Sequence, residues 1–176
     1  MYNNVKQCLA EAKSIVVIQP ENPDADSLGS AIALEEMIGT LPGKSVSLFC
    51  AIDMPKYLHY IDGWARVDKE WTGQYDLAII VDTNTEALLV KALETPGVRH
   101  FFETHSVLVI DHHLEGDEGD NDLPFAHELI LDDKAAATSE LLYAIAVQLG
   151  WTINESAAES MLASILGDTL GLSTQS

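Results

Sequence analysis

Basic residues, cysteines and long apolar runs are all scarce in this sequence. Its 176 residues include 9 Lys and Arg against 28 Asp and Glu, which gives a formal net charge of -19. A surface of that charge repels the phosphate backbone of nucleic acid, so we expect no stable binding to duplex DNA. No apolar run is long enough to cross a bilayer, and we therefore expect no membrane association.

The two cysteines, Cys8 and Cys50, fit no metal-binding spacing, and we interpret them as free thiols in a reducing compartment. The N-terminal residues have neither the basic start nor the apolar core of a secretory signal. These features together predict a cytoplasmic protein.

Short β-branched runs alternate with helix-periodic segments along the chain. Strands are predicted at residues 14–19, 45–50, 77–81, 107–110 and 128–131, and helices at 27–41, 85–94, 98–104, 135–149 and 155–167. The strands are too apolar to face water, which predicts an α/β fold with a five-stranded parallel sheet covered by helices on both faces. The length favours a single domain over residues 1–176, with an acidic surface loop at 114–124.

Acidic and imidazole side chains follow three of the predicted strands. The first strand leads to Asp24 and Asp26, the third runs into Asp82, and the fourth runs into Asp111, His112 and His113. The carboxyl ends of parallel strands meet at one edge of a sheet, so we expect these groups to lie close together. Carboxylate with imidazole suits Mn²⁺, Fe²⁺, Co²⁺ or Zn²⁺, and two such ions can clamp a phosphoryl group.

Each of these residues also has a purely structural interpretation. Asp24 and Asp26 lie in NPDADS, which is good turn and helix-cap chemistry, and Asp82 also precedes potential capping residues. His112 and His113 could be ordinary loop residues. Each structural interpretation taken alone is at least as good as the functional one, but all would have to coincide at three strand ends. The joint pattern therefore favours a metal site.

Four segments, NPDADSLGS, LAIIVDT, VLVIDHH and ILGDTLG, occur in this order between residues 14 and 172. They resemble the four motifs of the DHH phosphoesterase superfamily. Their sequences are most similar to those of its bacterial nanoRNase and phosphoadenosine-phosphate phosphatase branch. The resemblance implies a Rossmann-like DHH domain. It also implies an enzyme that hydrolyses phosphoesters of short oligonucleotides or phosphoadenosine phosphate with two divalent ions, Mn²⁺ first among them.

The resemblance assigns five metal ligands. Asp24 would bind the first ion, while Asp26, His112 and Asp168 would bind the second, and Asp82 would bridge the two. Asp168 has this role only through the resemblance, because in the sequence it is simply an acid near a helix end.

Two further residues of the same motifs complete the implied catalytic set of Asp82, His112, His113 and Asp111. His113 would contact the substrate phosphate, and Asp111 would orient an imidazole. One position departs from the family pattern: Pro20 stands where a histidine usually precedes the first aspartate by four residues. Gln19 beside it offers only an amide oxygen, so the first metal site is expected to be weak.

The resemblance also implies that a smaller accessory domain holds the substrate, and we expect that domain to be absent from this chain. Only Lys134 lies near a motif in sequence, although phosphate sites usually include basic clamps. The open alternatives are an inorganic pyrophosphatase and a catalytically idle metal or nucleotide sensor. A homodimer is compatible with all three.

Overall fold

A sheet of six parallel strands forms the centre of the computed structural model, which describes residues 2–113 and 123–173. The strands are β1 (Ser14–Ile18), β2 (Ser45–Phe49), β3 (Val67–Asp68), β4 (Leu77–Val81), β5 (Ser106–Asp111) and β6 (Glu128–Leu131). Their order is β3-β2-β1-β4-β5-β6, and every neighbouring pair is parallel. The predicted α/β fold with a parallel sheet is therefore confirmed.

The predicted number of five strands is wrong, because β3 adds a sixth at one edge. It pairs Val67 with Leu48 and Asp68 with Phe49 of β2. A strand of two residues is too short to produce an alternating pattern in the sequence, and β3 was therefore not predicted. Its only support is its pairing with β2. Two strands, β2 and β1, separate this extra strand from β4.

Helices cover both faces of the sheet. They are α1 (Asn3–Glu11), α2 (Ala25–Gly39), α3 (Val90–Glu94), α4 (Val98–Thr104), α5 (Thr138–Leu149) and α6 (Glu155–Asp168). One core cluster joins α1, α2, α5 and α6 to the sheet, and a second joins α3 and α4 to its other face. No helix among the described residues is long and apolar enough to span a membrane.

Two helical predictions need adjustment. The segment predicted as one helix over residues 85–94 is a 3-10 turn, Glu86–Leu88, followed by α3, and α1 was not predicted. Of the predicted acidic loop, residues 114–122 lie outside the described part of the chain.

Helices α2 and α6 pack in very close antiparallel contact. A Cβ atom added at Gly29 of α2 would lie 2.5 Å from the carbonyl oxygen of Ser160 on α6, and one at Gly167 would overlap the side chain of Ala25. Glycine is therefore needed at both positions for the two backbones to approach. This packing brings the last turn of α6 beside the first turn of α2.

The strand order reverses direction between β1 and β4. The chain goes from β1 to β2 on one side and later enters β4 on the other side. Such a switch point leaves a crevice at the carboxyl edge of the sheet, where open α/β folds bind ligands. The loop after β1, the end of β4 and the N-terminus of α2 all meet at this edge.

Candidate metal centre

Asp24 forms the N-terminal cap of α2. Its carboxylate accepts a hydrogen bond from the Ser27 backbone N–H at 2.9 Å, and the Ser27 hydroxyl oxygen accepts one from the Asp24 N–H at 2.9 Å. This reciprocal pair is a capping box, so the structural interpretation of Asp24 is observed. Its assignment to a first ion stays a prediction.

Asp26 is 1% exposed and acts as the cap of a different helix. The residue before α5 is Ala137, whose side chain can accept no hydrogen bond. The carboxylate of Asp26 takes that place: its Oδ2 accepts from the Thr138 N–H at 2.7 Å and its Oδ1 from the Ser139 N–H at 3.4 Å. A carboxylate is favourable there because the first N–H groups of a helix lack partners and carry partial positive charge.

Asp82 follows β4 in a backbone conformation that non-glycine residues rarely adopt. Its φ is 63°, while its N–H donates to the Ile110 carbonyl oxygen at 3.0 Å and so continues the pairing with β5. Its Oδ1 accepts from the Thr138 hydroxyl at 3.1 Å. Strain of this kind persists where surrounding contacts over-determine it, often at functional sites.

Burial raises the pKa of Asp82 well above its usual value, and the nearby charges of Asp26 and Asp24 raise it further. Desolvation and like charge both disfavour the ionised form. A cation beside these carboxylates would reverse that effect. The electrostatics of the cluster therefore favour a bound positive charge.

His112 points an unpartnered ring nitrogen at three carboxylates. Its Nδ1 lies 3.1 Å from the Ala135 carbonyl oxygen, which can only accept, so we assign the ring proton to Nδ1. In the neutral ring this leaves a lone pair on Nε2, a buried atom without a hydrogen-bond partner. Nε2 lies 3.4 Å from Asp26 Oδ2, 3.7 Å from Asp82 Oδ1 and 3.8 Å from Asp168 Oδ2.

Asp111 holds both histidines from behind. Its fully buried Oδ1 accepts from the His112 N–H at 2.8 Å, the His113 N–H at 3.3 Å and His113 Nδ1 at 2.8 Å. The imidazole of His113 is thereby fixed while 33% of its side chain is exposed. Its Nδ1 also lies 3.9 Å from Asp82 Oδ1, which places His113 on the open side of the cluster.

Asp168 is the last residue of α6 and contributes the third carboxylate. Burial raises its pKa, the charge of Asp26 raises it further, and His112 acts in the opposite direction. A negative charge at the C-terminal end of a helix is unfavourable towards the helix dipole. Asp168 therefore costs local stability, which is typical of a residue kept for a site.

The arrangement fits a divalent ion. Two groups of ligand atoms each lie within 4.8 Å of one another: one of Asp82, His112 and His113, and one of Asp26, His112 and Asp168. Neutral imidazole with several carboxylates suits a transition ion such as Mn²⁺. The buried Nε2 of His112, without a hydrogen-bond partner beside three carboxyl groups, is the observation that a bound cation would explain.

The profile of the DHH family, N-terminal domain, matches residues 14–166. The chain belongs to the DHH family. The match confirms the resemblance to the family and covers most of this chain, including the first three motifs; it ends before Asp168.

Two curated relatives of this DHH domain are similar over most of its length. One is a probable bifunctional oligoribonuclease and PAP phosphatase of Streptococcus mutans, 29% identical over 93% of this chain and 49% of that protein. The other is a bifunctional oligoribonuclease and PAP phosphatase of Bacillus subtilis, 29% identical over 89% of this chain and 46% of that protein. The chain thus spans about half the length of these relatives.

A solved structure shares the fold of this DHH domain. It is that of an exopolyphosphatase-related protein from Bacteroides fragilis, with a TM-score of 0.81 at 20% sequence identity. The likeness covers 97% of this chain and 50% of that one. It supports the architecture of the domain and carries no information about substrate.

The predicted residues of the DHH motifs are brought together with one exception. Asp26, Asp82, His112, His113 and Asp168 contribute to the two ligand groups, and Asp111 lies directly behind them. Asp24 belongs to neither group, although its charge acts on Asp82.

The position that departs from the family pattern is buried. Pro20 has no side-chain donor to offer, and both amide atoms of the neighbouring Gln19 are buried without a hydrogen-bond partner. No ligand from this segment joins either of the two groups found among the described residues.

Three hydroxyl residues around the carboxylates were not assigned roles from the sequence: Thr138, Ser139 and Ser164. Thr138 and Ser139 belong to the run of small residues that opens α5, and their N–H groups reach Asp26. The available signal was a helix start preceded by Ala137, which cannot cap it. Nothing in the sequence distinguished Ser164 from an ordinary serine in a helix.

Proposed function

We propose that the chain is the metal-binding domain of a divalent-metal-dependent phosphoesterase that acts on nucleotide phosphoesters. The observation that carries the proposal is the buried, unpartnered Nε2 of His112 beside the carboxylates of Asp26, Asp82 and Asp168. Those four residues would hold one ion. A divalent ion there supplies Lewis-acid charge for the phosphoryl oxygens and lowers the pKa of an attacking water.

The protein groups around that ion have separate tasks in this proposal. Ala135 fixes the tautomer of His112 through its carbonyl oxygen, so that Nε2 faces the carboxylates. Asp111 fixes the ring of His113, which lies partly exposed on the open side and is assigned to a phosphate oxygen of the substrate. An imidazole held in this way loses little freedom when it meets the phosphate.

We propose two ions of unequal affinity. The stronger site would use Asp26, Asp82, His112 and Asp168, and the weaker would share Asp82 and use Asp24. The inequality is supported by the engagement of one Asp24 oxygen in the capping box and by the absence of a ligand at Pro20. Mn²⁺ is the ion we expect, since the donor set mixes imidazole with hard carboxylate oxygens.

The substrate class comes from the relatives, whose names specify oligoribonuclease and PAP phosphatase activity. We propose short oligonucleotides and phosphoadenosine phosphate as the substrates here. We further propose that residues 1–176 form the metal-binding unit alone, and that the basic clamp for the phosphate resides in a second domain. The relatives, about twice as long, are the support for this division.

The test measures binding and turnover separately. Calorimetric titration with Mn²⁺ should give one tight and one weaker site. Release of mononucleotide from a short oligoribonucleotide and of phosphate from phosphoadenosine phosphate, assayed beside the Bacillus subtilis relative, should be Mn²⁺-dependent and slower than with the relative. Equal turnover by the two proteins would contradict the missing clamp, and failure to bind Mn²⁺ would contradict the proposed function.

A catalytically idle sensor is the second candidate, favoured by the absence of a side-chain ligand at Pro20. It predicts Mn²⁺ and nucleotide binding without hydrolysis of any of these substrates or of pyrophosphate. Hydrolysis of pyrophosphate alone would instead indicate a pyrophosphatase.

A further inference from the structure

The two oxygens of the Asp26 carboxylate have different surroundings. Oδ1 accepts from the Ser30 hydroxyl at 3.1 Å and the Ser139 N–H at 3.4 Å, and it also receives the Ser164 hydroxyl. Oδ2 accepts one N–H, from Thr138, and faces His112 Nε2. A carboxylate oxygen has about two lone-pair directions, so Oδ1 is saturated while Oδ2 retains one.

The hydroxyl of Ser164 is fully buried and can serve only this cluster. It contacts the Asp26 carboxylate and the hydroxyl of Ser139. A serine has one hydroxyl proton, and a carboxylate can only accept, so that proton goes to Asp26. Charge-assisted hydrogen bonds of this type are stronger than neutral ones and fix the orientation of the carboxylate.

Ser164 also links two ligands that are far apart in the sequence. It precedes Asp168 by four residues, so both lie on the same side of α6. Asp26 is on α2, and the hydrogen bond from Ser164 crosses the helix contact that Gly29 permits. The bond therefore sets the position of one carboxylate relative to the other.

We propose that Ser164 is a positioning residue of the metal centre, which holds Asp26 so that only Oδ2 faces the ion between His112 and Asp168. The inference rests on the proposed function, since it assumes that a divalent ion binds there. Without the Ser164 hydroxyl, Oδ1 keeps only the Ser30 hydroxyl and the longer bond from the Ser139 N–H, so the Asp26 carboxylate is held less firmly in this orientation. Loss of partners that orient a metal ligand typically weakens metal affinity about 10–100-fold.

Ser160 provides a matched control on the same helix. It lies one turn before Ser164 and is also buried, but its hydroxyl donates to the Ser156 carbonyl oxygen at 2.9 Å and makes no contact with Asp26. Ser160→Ala and Ser164→Ala therefore remove the same atom from the same helix. They differ in whether a metal ligand loses a partner.

The experiment measures Mn²⁺ affinity by calorimetry and the visible absorption spectrum of the Co²⁺-loaded protein, which reports ligand geometry. Ser164→Ala should bind Mn²⁺ about 10–100-fold more weakly than the wild type and shift the Co²⁺ spectrum, and Ser160→Ala should match the wild type in both. Ser30→Ala removes the other hydroxyl donor to Asp26 Oδ1; it should weaken Mn²⁺ binding in the same direction and serves if Ser164→Ala folds badly.

Wild-type affinity and an unchanged Co²⁺ spectrum in Ser164→Ala would overturn the proposal. An equal loss in Ser160→Ala would also overturn it, because the effect would then come from helix packing. If the wild-type protein itself binds no Mn²⁺, the proposed function fails first and this inference fails with it.

Discussion

Asp168→Asn should stabilise the metal-free protein and weaken metal binding at the same time. The ligand oxygens of Asp26 and Asp168 lie within 4.8 Å of each other. Two unit charges at that distance repel by about 3 kcal/mol at an effective dielectric constant of 20. The Asp168 side chain is 30% exposed, so solvent screening reduces the gain to about 1–2 kcal/mol.

The helix dipole acts in the same direction, because it disfavours an anion in the last turn of α6. For a domain of this size, about 1–2 kcal/mol corresponds to a rise in Tm of about 2–8 °C. With Mn²⁺ present, we expect the Tm of the variant to fall below that of the wild type. The variant lacks one of the proposed ligands, so ion binding adds less to its stability.

The measurement is thermal unfolding with chelator and with Mn²⁺, together with calorimetric affinity. Glu159→Gln is the matched control, since Glu159 is an exposed acid on the same helix and its change alters the net charge equally. We expect Glu159→Gln to have nearly the wild-type Tm, both with chelator and with Mn²⁺. If Asp168→Asn lowers the metal-free Tm, or binds Mn²⁺ as tightly as the wild type, repulsion between these carboxylates is not what makes the site bind a cation.

Three other expectations concern stability. Asp26→Ala should destabilise the metal-free fold by about 1 kcal/mol more than Asp26→Asn, because Asn keeps an acceptor for α5, and equal unfolding free energies would contradict the capping role. Gly29→Ala should cost about 1–3 kcal/mol through overpacking, whereas Gly39→Ala, with nothing within 4 Å, should be neutral or stabilising by chemical denaturation. The raised pKa of Asp82 means that the folded state holds its proton more tightly than the unfolded state, so the metal-free Tm should fall as pH rises through that pKa; a pH profile identical in Asp82→Asn would refute this.

The sequence was sufficient to predict the edge of the sheet at which the site lies. Three strands with strong β-branched runs could be placed, and parallel strands necessarily share a carboxyl edge, so Asp26, Asp82 and His112 were expected together. Asp168 was not accessible by the same reasoning, since its helix reaches the site only through the close packing on α2. Only the resemblance to the family motif assigned Asp168, because an acid near a helix end is by itself ordinary.

The contacts that orient the ligands could not be predicted. The hydrogen bonds from Thr138 and Ser164 to Asp26 join residues 112 and 138 positions apart, and no local pattern specifies such pairs. The short edge strand β3 escaped prediction for a related reason, since its pairing is supplied by a neighbour. Local propensity therefore predicted the elements, whereas tertiary packing determined how the carboxylates are held.

Under the proposed function, the close contact between α2 and α6 would also determine when an ion could be captured. Its ligands begin near residue 26 and are completed only at residue 168, and synthesis proceeds from the N-terminus at about 5–20 residues per second. A nascent chain that already contains all strands of the sheet still lacks the helix that supplies the last carboxylate and orients the first. If the proposed function holds, metal capture would be a late event in the maturation of this domain and would require α6 to have docked on α2.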